Sequence, residues 1–339
     1  FALSATFTFI FLKKQKLTTI PALFGSLTFA FGGFMSAWNM GVTAAPHTII
    51  WLPLALLSAE NFLESRSSKK LLWWLIGILS LSLSVLAGFW QTSFYVILAV
   101  FFFQIFKFRS RKYTRNQTLA LLVWFPLSLT IISFHLLPSI ELFFRASRNT
   151  INNQTTYQNY VKNYLLTPQH LITLFFPDYF GHPTTRNYSS GLGGEYYEQA
   201  IYFGIIPLFF TIFAILKKFR KSKFIRFWTF LAIISMSFAL RTPWGKAVYL
   251  FKIPLLSTSI PNRILFLPSF GFSLLAAFGM QELFSKKSPR SFHRLVHSFL
   301  IIIFSILSAT LIFGLFIPSK TPFAYITSLR NSLIPSISF

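Results

Sequence analysis

Apolar residues fall in long runs along this chain, separated by short polar or charged bursts. The runs are Phe1 to Leu12, Leu17 to Ala37, Thr48 to Phe62, Leu71 to Phe106, Thr118 to Ile140, Ala200 to Leu216, Phe227 to Leu240, Ile264 to Met280 and Ser298 to Ile317. A helix that crosses a hydrocarbon layer of about 30 Å needs roughly 20 mostly apolar residues. Runs of about this length predict an all-α fold, a polytopic transmembrane helix bundle. The stretch Leu71 to Phe106 holds two helices split at Gly88, each about 27 Å long at about 1.5 Å per residue. Gly88-Phe89-Trp90-Gln91-Thr92 is then a turn. The count is ten crossings, the first truncated because its run opens at Phe1.

Charge orients these crossings. The chain has 31 Lys and Arg against 7 Asp and Glu, a formal net charge of +24. In a soluble protein that excess would point to nucleic acid, but 54% hydrophobic residues and 45 Phe leave too much apolar surface for a soluble fold. The bases instead gather in five tracts: Lys13 to Lys16, Arg66 to Lys70, Lys107 to Arg115, Lys217 to Arg226 and Lys286 to Arg294. Together these hold 21 of the 31. Two crossings separate each tract from the next, so the positive-inside rule puts all five tracts in the cytoplasm. The expected location is a bacterial plasma membrane, multi-pass, with no nucleic acid partner. The absence of Cys excludes disulfides, thiolate catalysis and thiolate metal sites.

The whole of 1–339 reads as one transmembrane domain with two outer insertions. Residues 141–199 form a long outer loop, rich in Asn, Gln, Tyr and Thr from Thr150 to Tyr160. It turns amphipathic at Leu165 to Phe180, where Thr167-Pro168 resembles a helix N-cap with proline at the first position. Residues 241–262 form a second outer segment, with Trp244 to Leu256 lying in the interface. Gly191-Leu-Gly-Gly194 is a flexible turn, and the sequons at Asn116, Asn153 and Asn187 carry little weight in so polar a composition.

With so few acids, each carboxylate counts. Glu60, Glu64 and Glu282 lie at the cytoplasmic ends of helices, where they read as solvated charges that balance the tracts. Glu141, Asp178, Glu195 and Glu198 lie on the outer side, in or beside one loop. They either act as general base or metal ligands, or cap helices and pair with Arg145, Arg148 and Arg186. Glu198 leads into a crossing helix whose N-terminus favours negative charge. His47, His170 and His182 are also outside, but their spacing matches no metal motif. No dedicated metal site or cofactor follows, although a divalent metal is compatible with paired carboxylates. His135 lies near the outer end of an apolar helix, and Gln91 sits in a tight turn whose simplest need is solvation. Lys246, Lys252 and Arg263 break the inward bias of the bases. Cations held against the outer leaflet suit a lipid phosphate, and Arg263, at a helix start after Pro261-Asn262, can hold one bidentately.

Several stretches resemble the bacterial YfhO-type membrane proteins, a branch of the polytopic glycosyltransferases with the C-type membrane fold. They are Phe31-Gly-Gly-Phe34, Trp51-Leu-Pro-Leu-Ala-Leu-Leu57, Leu86-Ala-Gly-Phe-Trp-Gln91 and Leu136-Leu-Pro-Ser-Ile-Glu-Leu142. Further along come the run Pro168 to Gly181, Tyr202-Phe-Gly-Ile-Ile-Pro207, Thr242-Pro243 and Pro261-Asn-Arg-Ile-Leu-Phe266. The resemblance spans nearly the whole chain. It implies transfer of a sugar from a polyprenyl-phosphate donor to a cell-envelope glycan or lipid acceptor on the outer face of the bilayer. The family's usual catalytic carboxylate lies in the first outer loop, so the general base is expected to be an Asp upstream of residue 1. At the turn the family often has His beside the Gln, where this chain has Trp90. On this reading Arg263, with Lys252, stabilises the departing polyprenyl phosphate, while Asp178, His170 and Glu198 shape the pocket and Gln91 borders it. A transporter or flippase of lipid-linked sugars, a polysaccharide polymerase or ligase, and a scaffold without chemistry are the alternatives. Transporters often place acids at mid-membrane, and no acid falls mid-run here.

Overall fold

The computed structural model describes residues 1–65, 69–108, 114–145, 154–253, 256–257, 259–285, 290–316 and Thr327. Of the expected basic tracts, Arg66, Arg109, Arg111, Lys112, Lys286 and Lys287 lie outside these residues, as do Arg148 and Asn153. The first part of the chain forms α1 (Ala2–Lys14), α2 (Thr19–Ala30), α3 (Gly33–Gly41), α4 (Ala44–Ile49), α5 (Trp51–Glu64), α6 (Lys69–Leu86) and α7 (Trp90–Phe108). Next come α8 (Arg115–Leu122), α9 (Trp124–Ile131), α10 (Ser133–Arg145) and α11 (Gln154–Asn163). The remainder is α12 (Ile205–Lys218), α13 (Lys223–Ala239), α14 (Pro243–Leu250), α15 (Phe266–Ser285) and α16 (Arg290–Phe316). Among the described residues the fold is all helical, apart from one isolated bridge between Leu166 and Leu240.

Four helical stretches are long and apolar enough to cross a membrane: Thr19–Gly41, Lys69–Leu86, Trp90–Phe108 and Pro261–Phe284. Arg115–Ile131 and Ser133–Leu142, bent by 71° at their junction, add a fifth if counted as one span. Of the other expected crossings, four fall on the shorter helices α1, α5, α12 and α13, and the last lies on the 27-residue α16. Large apolar side chains such as Leu71, Leu75, Leu79, Phe230, Ile301 and Phe304 stay exposed, as suits a surface solvated by lipid tails.

Proline accounts for several of the breaks. Proline has no N–H to give to the carbonyl four residues back, and its ring crowds that carbonyl. Pro46, Pro53 and Pro126 therefore strip the helical partner from Val42, Ile49 and Leu122, and α3, α4 and α8 end at or one residue before these positions. The single helix expected over Thr118 to Ile140 is accordingly three pieces. Just before the 71° bend, the Ser128 and Thr130 hydroxyls bond back to the Phe125 and Pro126 carbonyls, a pattern that bends helices.

Other elements depart from the sequence expectation. The polar run Thr150 to Tyr160 leads into a helix, α11, over its described part. The helix expected from Ala200 starts only at Ile205, since Ile201 to Gly204 lie outside any helix and Gly204 has φ of 108°. The interfacial helix at Pro168 is a 3-10 helix, Pro168–Leu174. Thr167 occupies its N-cap position but makes no cap bond; its hydroxyl is drawn to His170 Nδ1 instead, at 2.8 Å.

α15 is the centre of the bundle, packed against α2, α12 and α13. Lipid tails are as apolar as Leu, so helices in a bilayer associate through close fit rather than water exclusion, and small residues permit it. A Cβ at Gly279 would stand 2.0 Å from the Phe210 carbonyl oxygen of α12. One at Gly271 would press the Ala232 methyl of α13, and one at Gly25 of α2 would strike Ala277 and the Ser273 carbonyl. Beside this core, a Cβ at Gly77 would meet the fully buried Trp124 ring at 2.2 Å, so α6 carries the slot into which α9 fits.

Ion pairs gather at one end of the bundle. The last turns of α1 and α5 meet through Lys14 and Glu64 at 2.9 Å. Glu60, predicted to be solvated, is buried and holds both Lys107, at the end of α7, and the Gln15 amide. Lys218 of α12 pairs with Glu282 of α15 at 2.7 Å, and the neighbouring Gln281 accepts from Thr18. The N-terminal ends of α7 and α15 therefore face the opposite end, away from the basic tracts. Replacing Gly279 by Val should force α12 off α15 and lower stability by about 1–3 kcal/mol. Thermal unfolding in detergent would measure this, and an unchanged midpoint would contradict the tight approach.

Candidate functional site

At the end remote from the basic tracts, two helix starts and one loop bring a charge pair together. Arg263 lies in the 3-10 helix Pro261–Leu265 that feeds directly into α15. Gln91 lies in the first turn of α7, and Glu198 lies in the 3-10 helix Tyr196–Gln199 near the end of the long loop. Gly88, with φ of 84°, makes the tight turn before α7 that brings Phe89 and Gln91 to this point.

Arg263 donates from Nε and Nη2 to Glu198 Oε1, at 3.2 and 2.9 Å, and from Nη1 to Gln91 Oε1 at 3.2 Å. The Gln91 amide nitrogen donates in turn to Tyr95 Oη at 3.1 Å and to the Ile260 carbonyl at 2.8 Å. Of the five guanidinium N–H groups, three are thus engaged, which leaves one each on Nη1 and Nη2. The guanidinium carbon lies 4.9 Å from the Phe89 ring centroid and 5.9 Å from that of Trp38. Trp38 packs edge-on against Tyr197, with centroids 4.7 Å apart.

Glu198 is 3% exposed. Burial raises its pKa above the ordinary carboxylate value, and the charge and hydrogen bonds of Arg263 oppose that shift. A buried carboxylate of this kind needs its partner, because an uncompensated charge in a low dielectric is strongly destabilising. Space is tight around it: a Cβ at Gly194, where φ is 90°, would lie 2.7 Å from Glu198 Oε2. The glycines read as a flexible turn therefore also make room for this carboxylate. Trp38 Nε1 and Asn262 Oδ1, on residues 1% exposed beside this cluster, find no hydrogen-bond partner among the described residues.

The loop that carries Glu198 is pinned from several sides. The Leu166 N–H donates to the Ala239 carbonyl and the Arg241 N–H to the Leu166 carbonyl, both at 2.9 Å. The Arg241 guanidinium caps the carbonyls of Lys162 and Leu165, and Asn262 Nδ2 donates to the Tyr164 carbonyl at 2.8 Å. Arg241 and Asn262 organise the site, yet the sequence reading gave neither a role. Arg241 follows an apolar run and Asn262 precedes Arg263, so position was the only available signal.

The other expected site residues are placed differently. His170 is buried, bonded through Nδ1 to Thr167 and through Nε2 to the Ser190 carbonyl at 3.2 Å, and it lies against Phe180. Asp178 accepts from Tyr196 Oη at 2.6 Å. Burial, followed by the Asp178 bond, pushes the Tyr196 hydroxyl far above its ordinary value, and burial raises Tyr188 to about 12. His170, Tyr188 and Tyr196 border a cavity of 20 Å³, room for about one water. This cluster braces the loop and contributes no direct contact to Arg263. Lys252 is exposed after α14, with φ of 47°.

Two simple expectations are corrected. Gln91 is not solvated but 4% exposed, and it bridges α7 to Arg263. Glu198 does not head a crossing helix, since α12 begins several residues later. Glu141 pairs with Arg145 one turn away, the pairing weighed for it from sequence. Trp90, at the position where a His was expected, stacks on His135 with centroids 5.5 Å apart. Among the described residues, no group of three His, Asp or Glu is placed to hold a metal ion.

Burial lowers the pKa of His170 below the ordinary imidazole value of about 6.5. The folded loop therefore binds fewer protons than the unfolded one between those two values. Its stability is full above about pH 6.5 and is lost as pH falls through that value towards the depressed one. Amide exchange over 165–200, corrected for intrinsic rates, should quicken on acidification, and His170→Gln should abolish that dependence. Equal dependence in both proteins would rule out His170 as its source.

No curated protein and no solved structure shows significant similarity to this chain. The model of the bacterial membrane protein YfhO family, however, matches residues 1–335. A membrane-embedded helical protein with these features, matched over nearly its whole length, belongs to the YfhO family of bacterial membrane proteins.

Proposed function

We propose that this chain is part of a membrane glycosyltransferase that moves a sugar from a polyprenyl-phosphate donor to a cell-envelope glycan or lipid. In this reading it is a single ten-crossing domain of the bacterial plasma membrane, with its basic tracts cytoplasmic and the segments 141–199 and 241–262 outside. The carrying observation is Arg263, half-buried against Trp38 and Phe89 at the end away from the basic tracts, with three of its five N–H groups engaged by Glu198 and Gln91. Family membership supports the same reading.

The reaction would proceed in line. A general base takes the proton of the acceptor hydroxyl as its oxygen bonds to the anomeric carbon. The bond from that carbon to the phosphate oxygen breaks, and its electron pair stays on the phosphate. Negative charge grows there, and donors already in place stabilise it without reorganising. Arg263 supplies two such donors from its outer edge. Glu198 and Gln91 fix the plane of the guanidinium, so they are positioning residues. Trp38 Nε1 and Asn262 Oδ1 offer an unpaired donor and acceptor for sugar hydroxyls. His170 and Asp178 hold the loop in place, and exposed Lys252 attracts the anionic lipid from the interface.

Arg263→Ala in the full-length protein should lower sugar transfer by about 10²–10³-fold. Arg263→Lys preserves the counter-charge for Glu198 but not the planar fork, so it should fold normally and still transfer slowly. Initial rates with a polyprenyl-phosphate sugar in membranes measure both. Undiminished transfer by the Ala variant would remove the leaving-group role.

A further inference from the structure

A wide hollow lies away from the Arg263 site. It is an open groove of 720 Å³ between α7 and α13, at the end that carries the ion pairs. Phe102, Ile105 and Phe106 of α7 form one wall, and Phe227, Phe230 and Ile234 of α13 form the other. The helices meet at its floor through rings, with the Phe106 and Phe227 centroids 4.7 Å apart and Phe103 and Phe227 5.8 Å apart. Phe102, Phe230 and Ile234 are exposed, so the groove opens sideways towards the bilayer. A second hollow of 320 Å³ shares Phe102, Leu231 and Ile234 with it and continues along α7 as far as Phe94. From Phe94 to Lys107, α7 rises about 20 Å, the scale of an extended acyl chain.

Three cations close the groove at one end: Lys107, Lys223 and Arg226. Lys107 is engaged by Glu60. Lys223 and Arg226, three residues apart on one face of the first turn of α13, have no carboxylate partner among the described residues. We propose that this groove is a binding site for a phospholipid with an anionic headgroup. The acyl chains lie between α7 and α13, and the phosphate rests on Lys223 and Arg226. Charge favours this occupant over a second copy of the chain, which at +24 would bring like charge to a cationic rim. Apolar walls with cations at only one end match an amphiphile of that polarity and exclude a wholly apolar ligand.

The test is native mass spectrometry of the full chain in detergent, titrated separately with phosphatidylglycerol and phosphatidylcholine. One phosphatidylglycerol should be retained about tenfold more tightly than phosphatidylcholine. The double variant Lys223→Gln, Arg226→Gln should erase most of that preference. Arg220→Gln with Lys221→Gln, which alters the same tract outside the groove, should leave it intact. Ile234→Trp should weaken retention of both lipids by filling the groove. Equal retention of the two lipids by the unaltered protein would overturn the proposal without any variant. So would an equal loss in the Arg220 and Lys221 control, which would mark general attraction to the tract. Competition by glycerol 3-phosphate alone, or a dimer formed in place of the lipid adduct, would overturn it as well.

Discussion

The close approach of α15 to three neighbours is the constraint on which the remaining geometry rests. In a bilayer, water gives no reward for bringing two helices together, so the contact must come from fit. Gly279, Gly271 and Gly25 let α12, α13 and α2 lie against one axis at backbone range. The helix they surround is also the one that presents Arg263 at its start and Gln281 and Glu282 at its end. Packing at its middle therefore sets the position of a charged group at each end. A shift of α15 would be felt at the Glu198 pair and at the Lys218 pair together.

The rarity of acid gives the electrostatics their shape. Of the 7 carboxylates in the chain, Glu60, Glu64, Glu141, Glu198 and Glu282 are all in ion pairs. The exposed Glu141 to Arg145 pair is worth little, since solvent screens it and both side chains lose freedom. Glu60 and Glu198 are different because both are buried and each also engages an amide side chain through the network, Gln15 in one case and Gln91 in the other. The few acids choose which helix ends of the bundle meet.

The helical class and the place of most helices were legible because long apolar runs leave few other outcomes in a membrane. Lys69–Leu86 and Trp90–Phe108 lie close to the stretches divided at Gly88. The breaks at Val42, Ile50 and Val123 were written as prolines three or four residues ahead, a local rule that hydropathy overlooks. Arg263 was legible because it stands apart from the five basic tracts. Gln91 and Glu198 were singled out, but not as partners of Arg263, because residues 172 and 65 positions away from it meet it only once tertiary packing exists. The burial of Glu60 was missed for the same reason. From sequence it lies beside a basic tract and looks solvated, whereas Lys107 and Gln15 reach it from two other helices.

Glu198 and Arg263 also link the loop to the bundle as a single electrostatic unit. Glu198 arrives on a segment held by the Leu166 bridge and the Arg241 caps, while Arg263 belongs to the core helix. If the loop undocked, Arg263 would keep its rings and Gln91 but lose its carboxylate partner Glu198, and a cation so placed is costly without one. An arriving phosphate offers the same kind of acceptor oxygens as that carboxylate. On the proposed reading, the two N–H groups left on Nη1 and Nη2 would receive it while Glu198 stays in place, so the loop would not have to leave for an anion to enter. Gln91 accepts from Nη1 at 3.2 Å and so holds the guanidinium at a second point besides Glu198.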